Sequence, residues 1–125
     1  VKLAIDHRSG VPFYRQIIEQ VKYAVSRGRL AVGDRLPTVR QLAVDLSINP
    51  NTVVRAYRQL EIEGVLETQQ GSGTFIGPKK PEIDRLERQR MLDQILTDML
   101  ARASSYGFTP EDLLDGLRRL KEESS

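Results

Sequence analysis

The chain has 125 residues, 39% of them apolar, and a net charge of +2, enough for one small core and a short appended element but not for two large domains. With no cysteine and one histidine, His7, disulfides, thiolate chemistry and a zinc site of the usual ligands are excluded. No leader opens the chain and no apolar run approaches the roughly 20 residues that span a bilayer, so a soluble, cytoplasmic protein with no metal and no cofactor is expected.

Charge is distributed by segment. Residues 1–80 hold 12 Lys/Arg against 7 Asp/Glu, whereas residues 81–125 hold 7 against 10. A basic head suits a phosphate backbone, and a mildly acidic tail suits another task.

Lys2 to Ile5 reads as a short extended segment. Pro12 then opens helix one, in which Ile17, Ile18, Val21, Ala24 and Val25 recur at helical spacing until Gly28 offers a left-handed stop. Arg15, Lys22, Arg27 and Arg29 fall on its solvated face, within possible reach of phosphates. Thr38 and Gln41 have capping-box spacing, which starts helix two near Val39. Leu42, Ala43 and Leu46 form its apolar face, and Arg40 in its first turn can reach DNA as the helix crosses the backbone. Arg35 is either a second positioning contact or a loop charge.

Ser47 and Ile48 make a short turn, and Asn49-Pro50 opens helix three as N-cap and first position. Projection at 100° per residue groups Val53, Ala56, Tyr57, Leu60 and Gly64, and puts Asn51, Arg55 and Ile62 opposite. The leading end then presents Asn49, Asn51, Thr52 and Arg55, short amides and a hydroxyl with a planar fork that suit base edges in a major groove. Asn49 is equally explained as a cap. After Gly64, the β-prone runs 65–68 and 74–76 are joined by Gln69-Gln-Gly-Ser-Gly73, a hairpin wing with Gln70 and Gly71 at its tip.

The motifs Tyr14-Arg-Gln-Ile-Ile18, Gly33-Asp-Arg-Leu-Pro37, Arg40-Gln-Leu-Ala43, Asn51-Thr-Val53, Arg55-Ala-Tyr57 and Gly71-Ser-Gly-Thr-Phe75 together resemble the winged helix-turn-helix of GntR-type bacterial transcription regulators. The resemblance spans about residues 12–77. It implies operator contacts by Arg40, Asn51, Thr52, Arg55 and Gly71, to which Arg35, Thr38, Asn49 and Gln70 are added from their places beside them. Pro50 and Val54 stand where many relatives of the fatty-acid-responsive branch carry basic residues, so the resemblance does not extend to shared base preferences or a shared operator sequence.

Gly77-Pro-Lys-Lys-Pro81 interrupts any regular ladder and divides a DNA-binding domain, residues 1–77, from a helical tail, residues 78–125. In the tail Ile83, Leu86, Leu92, Ile95, Leu96, Met99, Leu100 and Ala103 recur at helical spacing up to Gly107. Thr109-Pro-Glu-Asp112 then restarts a helix bearing Leu113, Leu114, Leu117 and Leu120. Two amphipathic stripes on so small a head imply a partner surface, most simply a twofold homodimer, the alternative being that they fold back on the winged domain. So short a tail resembles that of the YtrA-like subfamily, and it lacks room for a large effector domain or a fused pyridoxal-phosphate enzyme. The residues identify no small-molecule effector.

The fold expected is mainly α with a small β-hairpin wing and two dimerisation helices. The function expected is that of a homodimeric regulator, a repressor, on a palindromic operator with half-sites about 34–36 Å apart or a multiple of it. The alternative is a winged-helix module for protein contacts without specific DNA binding. No nucleophile–base pair, phosphate loop or metal cluster points to an enzyme.

Overall fold

Eight elements follow one another in the structure, a computed structural model that describes residues 2–124. They are α1 (Phe13–Ser26), β1 (Arg35–Leu36), α2 (Val39–Leu46), α3 (Pro50–Ile62), β2 (Leu66–Gln69), β3 (Gly73–Ile76), α4 (Arg85–Ser105) and α5 (Pro110–Glu123). They fall into two compact units, Val1–Arg85 and Leu86–Ser125.

In the first unit the apolar stripe of α1, Ile17, Ile18, Val21 and Ala24, meets Val53, Ala56, Tyr57 and Leu60 of α3 and Leu42, Ala43 and Leu46 of α2 in one cluster. Periodicity selects these residues because a helix buries one stripe of its surface. The sheet closes the cluster with Leu36, Leu66 and Ile76, one from each strand. Its order is β1-β3-β2, antiparallel throughout, with Arg35 opposite Phe75 and Thr68 opposite Thr74.

Two departures from the sequence expectation have physical causes. Arg35 is not in a loop, because Arg35–Leu36 pairs with the edge of β3 and makes the wing three-stranded; a two-residue strand before Pro37 is too short for alternation to show. Both hairpin strands run one residue further toward the tip than their β-prone cores. The segment Lys2–Ile5 joins no sheet ladder. Instead the amides of α1 act as its partner: Gln20 donates to the Ala4 carbonyl at 2.6 Å and accepts from the Ala4 N–H at 3.0 Å. Gln16 does the same for Asp6, at 3.1 and 2.9 Å. Paired backbone groups thus arise without a ladder.

The chain leaves the sheet through Gly77, where a Cβ would lie 2.7 Å from the Gly64 carbonyl oxygen. Only glycine fits so close a backbone approach.

The second unit is helical. After α4 the Phe108 N–H reaches back to the Ala103 carbonyl at 3.0 Å, and Thr109 opens α5 with a capping box shared with Asp112. Leu92, Ile95, Leu96, Leu100, Leu114, Leu117 and Leu120 are 39% to 63% exposed, while Met99 and Leu113 are half-buried. Ala103 is the buried residue of α4.

Candidate nucleic-acid interface

The site grows from two helix starts. At the first, the Thr38 hydroxyl accepts from the Gln41 N–H at 3.1 Å, and the Gln41 side chain accepts from the Thr38 N–H at 3.0 Å. The box satisfies donors that the first turn of a helix leaves unpaired. It also points α2 so that Arg40, one residue inside, is exposed. Ser47 ends α2 in the left-handed region at φ 56°, letting the chain turn in three residues to Asn49. There the Asn49 carboxamide oxygen accepts from the Asn51 N–H at 2.8 Å, and Pro50 occupies the first turn. The cap role of Asn49 is therefore real, whatever else the residue touches.

Along α3 the division is sharp. Val53, Ala56, Tyr57 and Leu60 are buried, whereas Asn51 and Arg55 are exposed, Thr52 is half-buried and Ile62 faces outward. Tyr57 fixes the helix to what precedes α2, since its phenol donates to the Pro37 carbonyl at 2.7 Å. Burial pushes the Tyr57 phenol well above the usual tyrosine range, because an ion would lose its hydration there. The group stays a donor at any physiological pH.

The wing tip is a β-turn closed by the Ser72 N–H on the Gln69 carbonyl at 2.9 Å. Gly71 in its third position has φ 82°, a value that turns of this kind reserve for glycine. Gln70 and Gly71 are exposed. Arg35 reaches along the wing, its Nε 3.0 Å from where a Cβ on Gly73 would stand. The wing is tied to α3 as well, by the Thr68 hydroxyl donating to Glu61 at 2.6 Å.

Not every basic residue of the head is available to DNA. Lys22 is buried and bonded to Glu63 at 2.6 Å, so it is a clamp between α1 and the end of α3 rather than part of a solvated face. The helical wheel places Lys22 at the margin of the apolar stripe, and only the packing shows Glu63 opposite it. Arg15 pairs with Glu19 at 3.8 Å. Arg55 is engaged too, but with an aromatic: its guanidinium carbon lies 3.7 Å above the Tyr14 ring. Periodicity within one helix does not reveal contacts between α1 and α3.

The structure thus brings Arg40, Asn49, Asn51, Thr52 and Arg55 onto the helix-turn-helix and sets Gln70 and Gly71 on the wing beyond. Residues 13–76 match the family described as "Bacterial regulatory proteins, gntR family". The chain belongs to the GntR family.

Relatives extend the match into the tail of this GntR regulator. It is 36% identical over 121 residues to the HTH-type transcriptional repressor YtrA of Bacillus subtilis, covering 97% of this chain and 93% of that one. It is likewise 36% identical to the regulator YhcF of the same organism, covering 92% and 94%. Among solved structures, YtrA from Sulfolobus acidocaldarius is similar at a TM-score of 0.54 and 30% identity, covering 98% of this chain and 97% of that chain. A Listeria monocytogenes protein described as a transcriptional antiterminator is similar at 0.60 and 27%, covering 100% and 91%. The GntR protein is therefore a DNA-binding transcription regulator of the YtrA-like kind and not an enzyme. No helix of the described residues is long and apolar enough to cross a membrane.

Proposed function

We propose that this regulator is a homodimeric, cytoplasmic repressor of a palindromic operator, with α3 in the major groove of each half-site and the wing tip against the neighbouring backbone. The observation that carries the reading is the division of α3, whose buried stripe fixes it to the core while Asn51, Thr52 and Arg55 lead its outer surface. Asn51 and Arg55 have groups suited to adenine and guanine edges. Arg40 and Arg35, with the capped ends at Thr38 and Asn49 and the tip at Gln70 and Gly71, serve register on the phosphates. The winged part, read from the sequence as residues 1–77, reads DNA. The tail, residues 78–125, pairs the two copies.

Support for the dimer comes from the uncovered leucines of α4 and α5. Covering the exposed half of one such side chain gains about 1 kcal/mol, so two identical stripes meeting about a twofold axis are a ready solution. Repression has support from YtrA of Bacillus subtilis, named a repressor.

Selection of duplexes from a random pool by the full chain, at moderate salt, tests the reading. The expected result is an enriched palindrome, with affinity that falls as salt rises, by a log–log slope of roughly 0.9 per phosphate contacted. Recovery without sequence preference, together with salt-insensitive binding to a protein partner, would replace it with a protein-interaction module.

A further inference from the structure

Arg55 combines two properties. Among the described residues it pairs with no carboxylate, and its guanidinium sits at 3.7 Å over the face of Tyr14. That distance is the contact separation of two stacked planes. A guanidinium laid against a ring uses its face for the aromatic and keeps its N–H donors around its edge, the arrangement in which arginine makes paired hydrogen bonds.

Tyr14 is itself well held. It lies in the first turn of α1, half-buried and packed on the core cluster beside Ile17 and Ile18. A second guanidinium, that of Arg15, lies 5.5 Å from the same ring, but its charge is offset by Glu19 at 3.8 Å. The cation left for an outside acceptor is Arg55.

We infer that Tyr14 is a positioning residue for operator reading: its ring holds the Arg55 guanidinium on the outer face of α3 in the free protein, edge outward. The inference rests on the proposed base-reading role of Arg55. A long, flexible arginine loses rotamer freedom when it binds; one already stacked has lost much of it beforehand. The ring thereby tightens binding without touching DNA, and it fixes the angle from which the fork approaches a base pair.

The test uses the full chain and the duplex most enriched by it from a random pool, with single-base variants of that duplex. Tyr14→Leu is expected to weaken binding about threefold to tenfold, the range of an exposed to partly desolvated cation–π contact. The loss should be confined to the base pair whose preference Arg55→Ala also relaxes. Tyr14→Phe, which keeps the ring, should retain both affinity and preference. The Tyr14→Leu/Arg55→Ala double variant should bind no more weakly than Arg55→Ala.

Equal weakening on every duplex, or losses that simply add in the double variant, would reduce Tyr14 to a packing residue. If Arg55→Ala relaxes one position while Tyr14→Leu relaxes none, the positioning role alone falls. If Arg55→Ala relaxes no position, the base-reading role falls and takes this inference with it. Should Tyr14→Leu fail to fold, the native protein still decides: the Arg55 δ-protons should be shifted upfield by the ring current, and unshifted resonances would overturn the stack.

Discussion

The head and the tail of this regulator are both built from helices that carry apolar residues at helical spacing, yet those residues end in opposite states. In the head the stripe residues Ile17, Val21, Val53 and Leu60 are fully buried, whereas in the tail Leu92, Leu96, Leu114 and Leu117 remain about 40% to 50% exposed. The difference is geometric. Three helices and a sheet enclose a volume, so each stripe finds others to face. Two helices joined through Gly107 have too few walls to enclose one. Polar ties differ in the same way. In the head they span the fold, as in Lys22–Glu63 and Tyr57–Pro37. In the tail Gln89–Asp93 and Gln94–Asp98 join residues one turn apart. An apolar stripe therefore predicts a buried surface, while the number of neighbouring elements decides whether the chain covers it alone.

The strongest way to sharpen that contrast is to damage each region at a leucine. Leu60→Ala should destabilise the head by about 2–5 kcal/mol, because it opens a cavity in a closed core. Chemical denaturation would show it as a lower midpoint, and a head that tolerated it would have a core far looser than its burial indicates. Leu96→Asp should leave that transition nearly unchanged. On the proposed dimer it removes roughly 1 kcal/mol of apolar burial per site and adds a charge where one must be desolvated. Sedimentation equilibrium should then show association weakened at least about tenfold in favour of monomer, with melting of the tail that no longer depends on protein concentration. An unchanged mass would mean that the stripe has another cover.

Arg55→Ala probes the head at its outer face. The expected loss is about 1–3 kcal/mol on the best duplex, with preference relaxed at one operator position. Fluorescence anisotropy against single-base variants measures it. Equal weakening on all sequences would make Arg55 a phosphate contact. Neither outcome should move the head's melting transition by more than a little, since the side chain is exposed.

Much of the head was legible because local chemistry and periodicity coincide there. The capping box at Thr38 and Gln41, the Asn49-Pro50 helix start and the buried set Val53, Ala56, Tyr57 and Leu60 all appear in the structure as the residues imply. Each is a rule acting within a few residues of chain. What escaped the sequence involves partners far apart in it. The pairing of Arg35 with Phe75 joins residues with no shared pattern, and two residues cannot display alternation. Lys22 looked solvated until Glu63 was brought to it. Tyr14 belongs to a motif, but its hold on Arg55 depends on how α1 lies beside α3. In the tail, helices and caps were equally plain at Thr109 and Asp112, and the exposed stripes follow from the topology rather than from any residue.

The smallest effect tests whether a single polar tie across the head is felt at all. Tyr57→Phe removes the donor to the Pro37 carbonyl while keeping the ring that fills the core, so its cost should be about 0.5–1.5 kcal/mol at neutral pH. The native tie also carries a pH signature. Burial raises the folded phenol above its ordinary value near 10. Below that value both folded and unfolded chains keep the proton, and the contribution is fully present. Above it the unfolded chain releases the proton while the folded chain holds it, so stability falls as pH climbs toward the folded value. With four tyrosines in the chain, the contribution is isolated by difference. The native protein should lose up to about 1.4 kcal/mol per pH unit more than Tyr57→Phe in that window. Parallel alkaline curves would mean that the phenol is hydrated in solution, and that the head is less closed around Tyr57 than its contrast with the tail requires.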